Sequence, residues 1–178
     1  MLPIQESAVC LPYMQDERMP KIIGAKGIQF FDFPEDLGDM EDAMKYLLLC
    51  QSLVYNLNLG LRALKAAGFS CDRIILAGGG ANDPIFQRII PDITNLPCVI
   101  PDNPGKLAMR GAALSALWAY LRNRGYPDLA LGEVASYFAD DWKLIKPRYG
   151  SSLLRTSPYI ASQKNFEKRL YIEYGVAV

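Results

Sequence analysis

Apolar positions divide the chain into short runs and three longer periodic stretches. Near the start, Ala8-Val9-Cys10-Leu11 and Ile28-Gln29-Phe30-Phe31 are brief and are separated by Pro12, Pro20, Gly24 and Gly27, which predicts short strands or loops. A long helix is expected from a cap at Asp36 or Asp39 to about Ala67. Glu41 and Asp42 favour its positive end, and Gly68 is the left-handed terminator. The apolar stretch Tyr46 to Leu64 is broken by Gln51, Ser52, Asn56, Asn58 and Arg62, so it reads as a core helix and not a membrane span.

Arg73-Ile74-Ile75-Leu76-Ala77 then enters Gly78-Gly79-Gly80, followed by Asp83 as an N-cap and Pro84 at the first helical position. Cys98-Val99-Ile100 is a second short run. Pro101 and Pro104 precede an apolar helix expected from about Lys106 to Arg122, closed by Asn123 and Gly125. Its Trp118, Tyr120 and leucines are read as core. Alternating helices and strands predict an α/β fold, with the strands in one sheet flanked by helices. Beyond Gly125 the pattern weakens to a helical tail over 126–178: a short helix over Leu131 to Phe138, a break at Asp140-Asp141 before Trp142, and an amphipathic helix from Pro158 to Tyr174.

Composition narrows the chemistry. With 178 residues and 51% apolar content the chain can form one cored domain, and its zero net charge offers no general field for nucleic acid or an anionic membrane. Histidine is absent, which removes the commonest base and metal ligand. Cys10, Cys50, Cys71 and Cys98 are scattered beside apolar runs and read as buried thiols of a reducing compartment. No metal site is expected from these residues. The opening Met-Leu-Pro-Ile-Gln-Glu lacks the features of a secretory signal, so a cytoplasmic location is expected.

Three consecutive glycines between a strand and a helix allow close backbone approach and can point N–H groups at a phosphate. The spacing fits neither G-x-G-x-x-G nor a P-loop, so a tight packing turn explains it equally well. Asp16, Glu17 and Arg18 read first as surface charges. Asp92 reads as a helix-end carboxylate that could reach a metal through water. Lys106 and Arg110 stand on helix positions from which a phosphate could be met.

The stretch Ile74-Ile75-Leu76-Ala77-Gly78-Gly79-Gly80-Ala81-Asn82-Asp83-Pro84, with the helix running on to Pro91-Asp92, resembles the nucleotide loop and following helix of FGGY-type carbohydrate kinases. Asp16-Glu17-Arg18-Met19-Pro20 resembles the family's Gly-Glu-Arg-x-Pro loop. Ala25-Lys26-Gly27-Ile28 is similar to its Ala-Arg-Gly-aromatic stretch, and Gly111-Ala112-Ala113 to its Gly-Ala-Ala motif. The order is that of the family, and xylulose- and ribulose-type kinases are the nearest relatives suggested. The chain departs from the pattern at Arg88, where glutamine is usual, at Pro91, which replaces alanine and is expected to end or kink its helix, and at Gln51-Ser52, where Glu-Gly is typical.

The resemblance implies a partial actin-like ATPase (ribonuclease H-like) fold. Residues 1–178 would form the later part of the second kinase domain, with the sugar-binding N-terminal domain absent. ATP with Mg²⁺ would lie against Gly78, Gly79 and Gly80, and Asn82 or Asp83 would approach the ribose or adenine. The family's catalytic aspartate lies upstream of the matched region, so no catalytic residue is assigned. The γ-phosphoryl group would pass to a sugar hydroxyl only with the missing part present, and this fragment alone would be inactive. Self-association or a complementing chain is expected to cover exposed apolar surface. Two alternatives stand beside this reading. One is a non-catalytic actin-like interaction module; the other is a Rossmann-type dinucleotide-binding domain, in which Asp102 would be the ribose acid.

Overall fold

The computed structural model describes residues 7–138, 142–149 and 158–177, which leaves Asp140 and Asp141 outside the described residues. Strands β1 (Val9–Tyr13) and β2 (Gly27–Phe31) pair antiparallel with Val9 opposite Phe31 and Tyr13 opposite Gly27. Both faces of β1 are covered. Val9, Leu11 and Tyr13 enter the main core, while Cys10 joins Ala8, Leu48, Phe30 and Phe33 in a second cluster.

Helix α1 (Glu41–Ala66) follows a 3-10 turn at Gly38–Met40. Neither Asp36 nor Asp39 caps it: Asp36 is left-handed at φ +62, Asp39 lies inside the 3-10 turn, and the helix start has no side-chain cap. The turn tightens the backbone directly into the helix and supplies the entry that a cap would otherwise make. The other end is as expected. Gly68 takes φ +88, its N–H reaches the Lys65 carbonyl, and the Phe69 N–H reaches that of Leu64, both at 3.0 Å, which together form a Schellman closure.

The later strands form a second sheet in the order β3 (Ile74–Ile75), β4 (Cys98–Ile100) and β5 (Lys143–Ile145). β3 runs parallel to β4, as the alternation of helix and strand requires, and β5 adds antiparallel on the other side. The expectation that the strands alternating with the helices share one sheet therefore holds for β3 and β4, while β1 and β2 pair with each other in a separate sheet. The tail is not wholly helical either, since β5 belongs to it.

Helix α2 (Pro84–Thr94) buries Ile89, Ile90, Pro91, Asp92 and Ile93. It continues three residues past Pro91, to a left-handed C-cap at Asn95 with φ +56. Proline removes one ladder hydrogen bond, but the Pro91 ring is fully buried and the Asn95 N–H still reaches its carbonyl at 2.9 Å. Helix α5 (Pro158–Tyr174) closes the core with Phe166 and Leu170, both fully buried. Its charged residues are fastened to earlier elements: Glu167 to Arg62 at 2.7 Å, Arg169 to Asp32 at 3.0 Å and Glu173 to Lys26 at 3.0 Å.

Helix α3 (Leu107–Asn123) is different: none of its residues is buried. It is held mainly from one side, where Trp118 Nε1 donates to the Leu129 carbonyl at 2.7 Å and Arg122 Nε to that of Pro127 at 2.8 Å, beside the short helix α4 (Leu131–Ser136). The expectation that Trp118, Tyr120 and the leucines form core is thus corrected. Tyr120 is 55% exposed.

Candidate functional site

The Leu76 N–H continues the β3–β4 ladder to the Val99 carbonyl at 2.9 Å, and the chain then leaves the sheet through the three glycines. Gly78 has φ +86 and ψ −174, a conformation essentially restricted to glycine. Its N–H donates to the Pro104 carbonyl at 2.9 Å, which fastens the turn to the start of the α3 segment. Gly79 and Gly80 open a 3-10 turn running to Asn82. These are the positions whose N–H groups lack an acceptor within a helix.

A Cβ added at Gly78, Gly79 or Gly80 would meet nothing within 4 Å. Gly79 and Gly80 also have no positive φ. Among the described residues, neither crowding nor backbone conformation demands glycine at these two positions, and both are exposed.

Asp83 ends the turn and caps α2. Its Oδ1 accepts from the Ile85 N–H at 2.7 Å and from the Phe86 N–H at 3.4 Å, while Oδ2 accepts from the Tyr46 hydroxyl on α1. The Tyr46 hydrogen bond, aided by the two amides, lowers the carboxyl pKa; the same bond raises that of the phenol. Asn82 is exposed beside it. Tyr46 was not foreseen as part of this region, because nothing in its helical neighbourhood marks it as the residue that reaches Asp83, 37 positions later. Gln87 supports the far side by donating to the Ala81 carbonyl at 2.8 Å and accepting from Lys143 at 3.1 Å.

The other singled-out residues separate clearly. Asp92 is fully buried and committed to protein: Oδ1 accepts from the Arg148 N–H at 2.8 Å, Oδ2 from Arg148 Nε at 2.7 Å, and Arg88 approaches to 3.5 Å. It ties α2 to the segment after β5, and both oxygens are occupied. Asp16 braces the loop between β1 and β2 by accepting from the Gly24 and Ala25 amides at 2.8 and 3.0 Å. Lys106 and Arg110 line a cavity of about 320 Å³ together with Asp102, Asn103 and Met109. The turn Pro104–Lys106 that precedes α3 packs against the turn Gly79–Asn82. Cys10, Cys50 and Cys98 are buried as expected, and burial pushes the Cys10 and Cys98 thiols up to about 12. Cys71 departs from the expectation: it is exposed. Among the described residues no group of three potential metal ligands gathers, and no helix is long and apolar enough to cross a membrane.

The fold is that of the actin-like sugar kinases. Xylulose kinase from Rhodospirillum rubrum superposes on 94% of this chain with a TM-score of 0.62 at 20% identity, using 30% of its own length. Ligand-bound xylulose kinase from Lactobacillus acidophilus also covers 94%, with a TM-score of 0.55 at 22% identity, using 32% of its length.

Residues 5–120 match the model of the C-terminal domain of the FGGY family of carbohydrate kinases, and the chain belongs to that family. It is 30% identical over 82 residues to the human FGGY carbohydrate kinase domain-containing protein, a match covering 46% of this chain and 14% of that protein. It is 27% identical over 113 residues to xylulose kinase from Haemophilus influenzae, covering 61% and 21% respectively. The chain thus spans only a minor part of the length of the relatives it matches.

Proposed function

We propose that this chain is the nucleotide-binding portion of a carbohydrate kinase, holding ATP against Gly78, Gly79 and Gly80 with Asn82 and Asp83 beside the nucleoside. The open space before Gly79 and Gly80 carries this reading. Two glycines that the chain's own packing does not require leave room for a polyphosphate, and backbone amides at the start of a turn suit an anion. Mg²⁺ would arrive on the phosphates. When bound, the nucleotide supplies the γ-phosphoryl group for transfer to a sugar hydroxyl.

Asp83 would contribute through its position more than through a free carboxylate, since both its oxygens already accept hydrogen bonds. Gly78 sets the direction in which the turn leaves the sheet. Transfer needs a group to orient the acceptor hydroxyl and donors for the moving phosphoryl group, and these belong to the part of the kinase outside this chain. Alone, the chain should bind nucleotide and transfer nothing. Three of the relatives are xylulose kinases by name, so a ketose of that type is the first acceptor to try with the completing part present. Such an enzyme would work in the cytoplasm, where ATP is supplied and the four thiols stay reduced.

Calorimetric titration with Mg-ATP tests the reading. Saturable binding is expected for the wild type, with at least a tenfold loss in Gly79→Val, whose Cβ would stand where no neighbouring atom lies within 4 Å. Equal affinity in the two proteins would refute it, and tighter binding of NAD than of ATP would favour a dinucleotide site instead.

A further inference from the structure

The hydrogen bonds that leave helix α1 go to different parts of the fold. Asn56 accepts from the Tyr13 hydroxyl on β1 at 2.8 Å, while Asn58 and Arg62 donate to Gln163 and Glu167 on α5 at 2.9 and 2.7 Å. Those three fasten α1 to the core layers. Among the described residues of α1, Tyr46 alone bonds to the end of the glycine turn, where its hydroxyl donates to Asp83 Oδ2. Packing does not account for this tyrosine, which is 44% exposed. Cys50, one helical turn further on and buried, hydrogen-bonds the same phenol.

We infer that Tyr46 is a positioning residue of the nucleotide turn, aiming the backbone amides of Gly79 and Gly80 through Asp83 without touching the nucleotide itself. The inference rests on the proposed nucleotide site. Asp83 is the joint through which Tyr46 acts. Its N–H donates to the Gly80 carbonyl at 3.1 Å and closes the 3-10 turn, while Oδ1 accepts the Ile85 and Phe86 amides and starts α2. Held by Oδ1 alone, the carboxylate could still swing. The bond from Tyr46 fixes the second oxygen and ties both the turn and the start of α2 to a helix of 26 residues. The pair is matched for this task. The bond to Asp83 raises the phenol pKa, which keeps Tyr46 a donor, and lowers that of the carboxyl, which keeps Asp83 an ionised acceptor. A hydrogen bond to an ionised acceptor is stronger than one between neutral groups. A turn whose amides are already aimed binds an anion without first being ordered, and that preorganisation raises affinity.

Tyr46→Phe keeps the ring and deletes the hydroxyl. Calorimetric titration with Mg-ATP should show roughly three- to tenfold weaker binding than in the wild type, the size expected for one hydrogen bond. A chain that stays folded binds with an affinity independent of its stability. A bond that served the fold alone would therefore lower the urea midpoint and leave the affinity unchanged. Asp83→Ser separates the route: serine still caps α2 but offers no second oxygen to Tyr46. Adding Tyr46→Phe to Asp83→Ser should then change affinity by less than about twofold. In the nucleotide-free chain, Tyr46→Phe should also move the Gly80 and Asn82 amide resonances, and resonances left in place would overturn the role. Wild-type binding with equal affinity in Tyr46→Phe would overturn this inference and leave the nucleotide site standing. An undiminished loss in the Asp83→Ser background would overturn it as well, since Tyr46 would then act by direct contact. Absence of binding in the wild type would refute the nucleotide site and this role with it.

Discussion

Helices α2 and α3 begin alike and end in different circumstances. Each follows a short strand of the same sheet and a 3-10 turn containing glycine, and each is rich in apolar residues. Yet α2 buries five consecutive residues while α3 buries none. The difference lies in what the chain packs against each helix. α2 is enclosed by α1, β4 and β5, whereas α3 meets mainly α4 and the turn before it. Apolar composition says that a helix needs cover; it does not say that the same stretch of polypeptide provides it. Among the described residues, helix α3 therefore presents apolar surface that nothing covers.

The sharpest contrast comes from truncating one apolar side chain in each helix. Ile89→Ala removes a fully buried side chain and should cost about 3 kcal/mol in urea unfolding. Leu117→Ala on α3 is only half-buried and should cost less than about 1 kcal/mol. Equal losses would mean that α3 is packed after all. Next in size is Asp92→Asn, which removes the charge and replaces one of the two oxygens that hold Arg148 with an NH2 group, itself a donor. Because Arg148 is partly exposed and can be rehydrated, the loss should be roughly 1–3 kcal/mol, below the full value for an enclosed pair. Gly78→Ala should also cost about 1–3 kcal/mol through its backbone conformation, whereas Gly79→Ala and Gly80→Ala should barely change stability.

Acid sensitivity supplies a smaller effect. The Asp83 carboxyl is lowered in the folded chain by the Tyr46 hydrogen bond and the helix amides, so its contribution to stability is present above the ordinary carboxylate pKa. It should fade as pH falls below about 4 towards the folded value. Comparing acid unfolding of the wild type and Asp83→Asn should show a shallower decline in the variant over that range. The thiols give the last contrast: a disulfide reagent at mild alkaline pH should label exposed Cys71 rapidly and leave buried Cys10 and Cys98 unmodified until the chain unfolds.

What was legible in the residues was local. Asp83 and Pro84 announce the start of α2 because a cap and a proline act within one turn, and Gly68 announces the end of α1 for the same reason. Parallel pairing of β3 with β4 follows from the helix between them. The strand β5 had no such signal: three residues, Lys143–Ile145, become a strand only because β4 offers a free edge more than forty positions earlier. The same holds for Tyr46 and Asp83, whose meeting depends on how α1 lies across the turn. Asp36 and Asp39 were misleading because a 3-10 turn replaced the side-chain cap. The glycine turn itself was visible. The open space in front of it was not, since it depends on every segment that could have filled it.

The central claim is that the backbone at Gly79 and Gly80 meets a polyphosphate. Amide resonances of the isotopically labelled chain, followed through a titration with Mg-ATP, address it directly. The account predicts saturable shifts that are largest at Gly79, Gly80 and Asn82, with helix α3 beyond its first turn unmoved. Shifts absent from the turn, or concentrated in another part of the molecule, would contradict it.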